Sequence, residues 1–147
     1  MSRIAVKPTL QPELFVYSFP VRVYFENTDA GGVVYHGEYF KFLERARTEW
    51  LRHLGFDHQA LARNHRTMFV VTSIAIEFLK PARLDDNVAV SVRLESLGKV
   101  RCVFAQEVRR DDEVLVKAKV TAACVAGENF KPAEIPEALR KKMEASL

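Results

Sequence analysis

The chain has 147 residues, with 22 lysines and arginines against 19 acidic residues and a net charge of +3. That length gives one domain with mass enough for a core, and so small a charge excludes any argument for nucleic acid from composition alone. Apolar residues make up 48%, yet no apolar run nears the roughly 18 residues of a spanning helix, and residues 1–8 have no apolar core like that of a secretory signal. The expectation is a soluble, cytoplasmic protein that inserts nothing into a membrane.

Residues 1–14 contain Pro8 and Pro12, show no period and read as a loose arm. Residues 15–26, alternating apolar and polar from Val21 to Phe25, predict a strand, and 27–32 predict a turn or loop. From Gly37 to Leu54 the apolar positions Tyr39, Phe42, Leu43, Ala46, Trp50 and Leu54 recur at the spacing of one helix face. Charged residues fill the opposite face, and Gly55 is a natural stop. Residues 57–65 fit a short second helix.

Beyond that point the period shortens. Met68–Leu79, Asn87–Leu97, Val100–Arg109 and Val114–Val125 are rich in Val, Ile and Phe, and turn residues bound each of them. They predict four strands in consecutive antiparallel pairings. Cys102 and Cys124 lie in these alternating segments without a metal-like spacing and read as small buried residues. Within a tail over 128–147, Pro136–Met143 fits a short terminal helix. One strand, one long helix and four strands make an α+β domain over 1–147, an antiparallel sheet of about five strands with the helix buried on one face.

The chemistry concentrates between the first strand and the long helix. Asp29 stands in a turn before Gly31 and Gly32, and Val33, Val34, Tyr35 and His36 lead into the helix. This order holds a carboxylate beside a helix N-terminus, whose free backbone N–H groups favour a developing anion. A carbonyl between the two meets a base or nucleophile on one side and donors on the other, which suits acyl transfer or hydrolysis. Aspartate before glycines is also a common turn residue, so the position alone is not decisive. His53, His58 and His65 have no ligand-like partners at fixed spacing, and no metal or cofactor is expected. Glu44 and Glu49 are read as helix ion-pair partners of Arg45, Arg47 or Arg52, with Glu44 a reserve candidate for the base.

The string Glu26-Asn27-Thr28-Asp29-Ala30-Gly31-Gly32-Val33-Val34-Tyr35-His36, followed by Glu44-Arg45-Ala46-Arg47-Thr48-Glu49 and later by Pro81-Ala82-Arg83-Leu84-Asp85-Asp86, resembles the hotdog-fold acyl-CoA thioesterases. It most resembles their YbgC-type, Tol–Pal-associated branch, related to the 4-hydroxybenzoyl-CoA thioesterases, over about residues 18–127. The resemblance implies a hotdog fold, a sheet wrapped around a central helix, that dimerises edge to edge and often pairs further into a homotetramer, so that a dimer or a tetramer is expected. It implies hydrolysis of an acyl-CoA to free acid and coenzyme A, and a link to the cell envelope or to acyl-carrier proteins. Asp29 matches the catalytic aspartate, as nucleophile or general base. His36 matches the following histidine, which orients the thioester, donates to the leaving thiolate or positions water. Gly32, Val33, His36 and Gly37 are the candidate oxyanion and substrate-binding positions, and Arg83, Lys99 and Arg101 the candidate cations for the coenzyme A phosphates.

Two positions depart from the branch, which usually carries Tyr where this chain has Phe25 and Asp where it has Asn27. Without a second carboxylate the base escapes like-charge repulsion, so activity is expected to extend to lower pH than in an Asn27→Asp variant. The alternatives are a thioesterase for acyl-carrier-protein substrates and a non-catalytic acyl-CoA-binding or oligomeric scaffold of the same fold.

Overall fold

A computed structural model describes residues 9–11 and 16–147. Its six-stranded antiparallel sheet comprises β1 (Thr9–Gln11), β2 (Val16–Arg22), β3 (Thr67–Phe78), β4 (Asn87–Leu97), β5 (Arg101–Arg110) and β6 (Glu113–Ala126), in the order β1-β2-β4-β5-β6-β3. The helices are α1 (Glu38–His53), α2 (His58–Ala60) and α3 (Glu137–Glu144), and a π-helical turn at Leu61–His65 continues α2. The α+β reading holds, with β1 as a short sixth strand. Within the stretch expected to be a loose arm, Thr9–Gln11 pairs with Val16–Ser18. Pro8 and Pro12 lie outside the described residues.

Two expectations are corrected. The first strand ends at Arg22 rather than at residue 26, and Phe25–Asn27 forms a 3-10 turn. The Asn27 side chain accepts from Tyr24 N at 2.7 Å and bends the chain away from the sheet. Nor do the four later strands all pair consecutively. β4 with β5 and β5 with β6 do, but β3 lies beyond β6 at the sheet edge and β4 beside β2. Residues 79–86 are too long and too proline-bound for a hairpin, and they carry the chain across the end of the sheet. Lys80 pairs with Glu113 at 2.5 Å. Arg110 donates to Pro81 O and pairs with Asp86. Val23 N donates to Asp86 O at 2.9 Å, fastening the crossover to the chain leaving β2.

The predicted apolar face of α1 is the core. Tyr39, Phe42, Leu43, Ala46, Trp50 and Leu51 are buried against Val88, Val90 and Val92 of β4, Phe104 and Val108 of β5 and Val120 of β6. Leu51 takes the place expected of Leu54, which is half-buried because the helix ends first. Trp50 meets Phe104 edge-on, with ring centroids 5.2 Å apart. Leu139 and Met143 of α3 close the same cluster. Cys102 and Cys124 are buried free thiols, and burial pushes the Cys102 thiol up to about 12.

Candidate active site

The loop between β2 and α1 is shaped by its own backbone. Asp29 N donates to Val33 O at 2.9 Å and Tyr35 N to Asn27 O at 2.9 Å, so the two arms pair around a tight turn. Gly32 N closes that turn on Asp29 O at 3.1 Å, with Gly32 at φ +79°, where a side chain would be strained. The outer arm is tied to the crossover, since Val34 N donates to Ala82 O at 2.8 Å and Val33 bridges Arg83. From the helix side, the buried Tyr39 hydroxyl accepts from Ala82 N at 3.0 Å. Loop, crossover and helix start are thus held together at one end of the sheet.

Asp29 is exposed, and its Oδ1 accepts from Gly31 N at 2.8 Å. No cation among the described residues forms an ion pair with it, so the carboxylate keeps lone pairs free for a proton or a carbonyl carbon. At the helix start Glu38 N is taken by Tyr35 O and Tyr39 N by His36 O. The N–H groups of Val33, His36 and Gly37 meet no acceptor among the described residues. Three of the four candidate amides are therefore open, whereas that of Gly32 is spent in the turn. A Cβ at Gly37 would lie 2.8 Å from the exposed Tyr35 ring, so any larger residue there has to displace that ring.

The His36 ring is exposed and sits between two aromatics, 4.3 Å from the Tyr35 centroid and 6.3 Å from that of Phe78. It borders a cleft of about 230 Å³ with Val34, Tyr39, Phe78, Leu79 and Pro81. Phe78 and Leu79, each 49% exposed, were not singled out from sequence, because they read as the end of a strand. Only the crossover turns them toward the helix start.

The candidate cations separate. Arg83 stands beside the loop through its bridge to Val33. Lys99 and Arg101 are at the β4–β5 turn, the full length of β4 from the Asp29 end, about 30 Å at the rise of a strand. They do not share a site with Asp29 of the same chain. Glu49 pairs with Arg52 at 2.6 Å as expected, while Glu44 is exposed and makes no ion pair among the described residues. Glu77 is exposed opposite Lys117. Phe25 is 82% exposed, so a phenol at that position would also reach solvent.

Asn27 has a different part from the one expected. Buried at 4% exposure, it donates from Nδ2 to Glu38 Oε1 at 2.7 Å, which locks the loop to the first turn of α1. That hydrogen bond, then the contact with Lys41, holds the Glu38 carboxyl below the usual carboxylate range. Repulsion from a carboxylate at 27 would therefore fall first on Glu38. In Asn27→Asp the two acids share a proton, and the pair's folded pKa rises above the unfolded value of about 4.3. A raised folded pKa favours the fold at low pH and loses that advantage as pH rises. Asn27→Asp is thus expected to match the wild type near pH 4 and to fall behind by about 1–3 kcal/mol at pH 7. Thermal melts from pH 4 to 8 check this, and parallel curves would rule the coupling out.

Residues 31–117 match the model of the Thioesterase superfamily. A Haemophilus influenzae protein named acyl-CoA thioesterase YbgC is 44% identical over 124 residues, covering 84% of this chain and 91% of that protein. An Escherichia coli protein named acyl-CoA thioester hydrolase YbgC is 43% identical over 125 residues, covering 84% and 92%. The crystal structure of a probable thioesterase from Bartonella henselae superposes with a TM-score of 0.79 at 36% identity, covering 82% of this chain and 99% of that one. The architecture is the hotdog fold of these proteins.

Proposed function

The chain belongs to the thioesterase superfamily and is a thioester hydrolase, and we propose that it cleaves acyl-CoA to a free acid and coenzyme A with Asp29 as the reactive carboxylate. The observation that carries this reading is an exposed carboxylate, without an ion pair among the described residues, on a hydrogen-bonded turn whose following segment keeps three amides open. Asp29 acts in one of two ways. It attacks the thioester carbonyl, expels the thiolate and leaves a mixed anhydride that water hydrolyses. Or it takes a proton from a water that attacks the carbonyl directly. Either route consumes a water and yields acid and thiol. The oxyanion lies against the N–H groups of Val33, His36 and Gly37, where the helix dipole adds to the hydrogen bonds. His36, braced between Tyr35 and Phe78, faces the leaving thiolate and supplies its proton.

Arg83 is the cation of this chain suited to a coenzyme A phosphate near Asp29. Lys99 and Arg101 enter the proposal only as residues of a second copy. The outer edge of β3 is unpaired in the sheet order, and Val71, Thr72 and Ser73 on it are exposed. That edge suits antiparallel pairing with another copy, and we propose a cytoplasmic homo-oligomer built on it.

The reading is tested by thiol release over a panel of aliphatic and aromatic acyl-CoAs and acyl-carrier-protein thioesters. Turnover on acyl-CoA is expected. Turnover confined to carrier-protein thioesters would move the substrate class, and none on any thioester would leave a binding scaffold.

A further inference from the structure

We propose that the cavity between α1, β3 and α3 binds a small organic carboxylate through the Arg47 guanidinium. The cavity measures about 100 Å³. Trp50, Phe69, Phe104 and Met143 give it apolar walls, and Glu44, Arg47, Thr48 and His58 form its polar side, with His58 Nε2 3.4 Å from Thr48 Oγ1. Arg47 Nη1 donates to Gln106 Oε1 at 2.9 Å. Gln106 is 1% exposed and donates to both Leu43 O and Ser91 O at 3.2 Å, so its amide is fixed and fixes the arginine in turn. No acidic side chain among the described residues reaches ion-pair distance of Arg47. Glu44, one turn earlier, lines the same cavity but is exposed to solvent.

A half-buried guanidinium held by a neutral amide rather than by a paired carboxylate is costly to keep. Desolvation pushes the Arg47 pKa down, opposed by the charge of Glu44. Five N–H donors belong to a guanidinium, and a carboxylate accepts two of them in a fork. At about 30 Å³ for each water displaced, the space admits a short apolar body behind that carboxylate. The site is distinct from the reactive loop, since Arg47 lies about 13 Å along α1 from Glu38 at the rise of a helix. Two sources share this chemistry: a free acid, or the distal carboxylate of an acyl group reaching in from a second copy. The latter source rests on the acyl-CoA reaction proposed above.

Trp50 is the chain's sole tryptophan and lines the cavity, so its fluorescence reports occupancy. The protein is titrated with butyrate and with its neutral isostere, butyramide. Butyrate is expected to saturate the signal and to bind at least about tenfold more tightly than butyramide, a preference that Arg47→Met abolishes. Equal binding of the two probes, no saturable change, or an Arg47→Met protein that still prefers butyrate would overturn the proposal. The probe comparison stands in the wild type even if Arg47→Met fails to fold. Binding retained in Asp29→Ala separates this site from the thioesterase reaction. The source follows from kcat/KM for glutaryl-CoA relative to pentanoyl-CoA. A ratio that collapses in Arg47→Met assigns the acyl end, and one that is unchanged assigns the free acid.

Discussion

Asp29→Ala is expected to lower kcat/KM for acyl-CoA by a factor on the order of 10²–10⁴, the range a positioned acid–base group contributes. The fold should barely notice. Asp29 is exposed, and among the described residues its side chain accepts only from Gly31 N, a bond worth about 1 kcal/mol. Asp29→Asn sharpens the test, because the amide keeps the shape and can still accept from Gly31 while losing the basic oxygen. Both variants should lose kcat with KM and melting temperature close to the wild type. An Asn variant with near wild-type turnover would remove Asp29 from the chemistry. Parallel losses of activity and stability would make it a turn residue.

Phe42→Ala is expected to cost about 3–5 kcal/mol, a large share of the 5–15 kcal/mol that holds a typical domain. The ring is fully buried in the second turn of α1 and meets Tyr39 edge-on, with centroids 5.9 Å apart. Deleting it leaves a void under the helix whose start the open amides precede. Urea unfolding measures the loss, and a value under about 1.5 kcal/mol would mean that the cluster collapses into the gap. Phe25→Ala is the internal control. At 82% exposure it should stay within about 0.5 kcal/mol of the wild type.

The elements set by local period were legible from the residues. The face of α1 repeats every three to four positions, and the predicted bounds of β4 match the observed ones. Strand partners were not legible. β3 pairs with β6 because of where residues 79–86 cross, and no local pattern records that path. At the site, the Asp29–Gly31–Gly32 turn marked the carboxylate, and the resemblance gave it a role. The lock between Asn27 and Glu38 spans 11 positions, and the contact between Arg47 and Gln106 spans 59, so neither leaves a trace in spacing. Lys99 and Arg101 follow Gly98 at a turn where the resemblance implies basic residues, and neither that nor their charge tells which end of the sheet the turn occupies.

The place of β3 also bears on the order in which the molecule can be made. As a ribosome releases the chain, β3 emerges long before its neighbour, because its nearest register partners, Phe78 and Val116, are 38 positions apart. Until β6 is out, β3 has neither a strand beside it nor a finished sheet to extend. α1 and the loop bearing Asp29 are already synthesised by then, but the sheet that covers the helix stays incomplete. Closure of such distant pairs is entropically slow. The final long strand to be synthesised is therefore the one that releases β3 from waiting, and any pairing between nascent copies along that edge has to follow it.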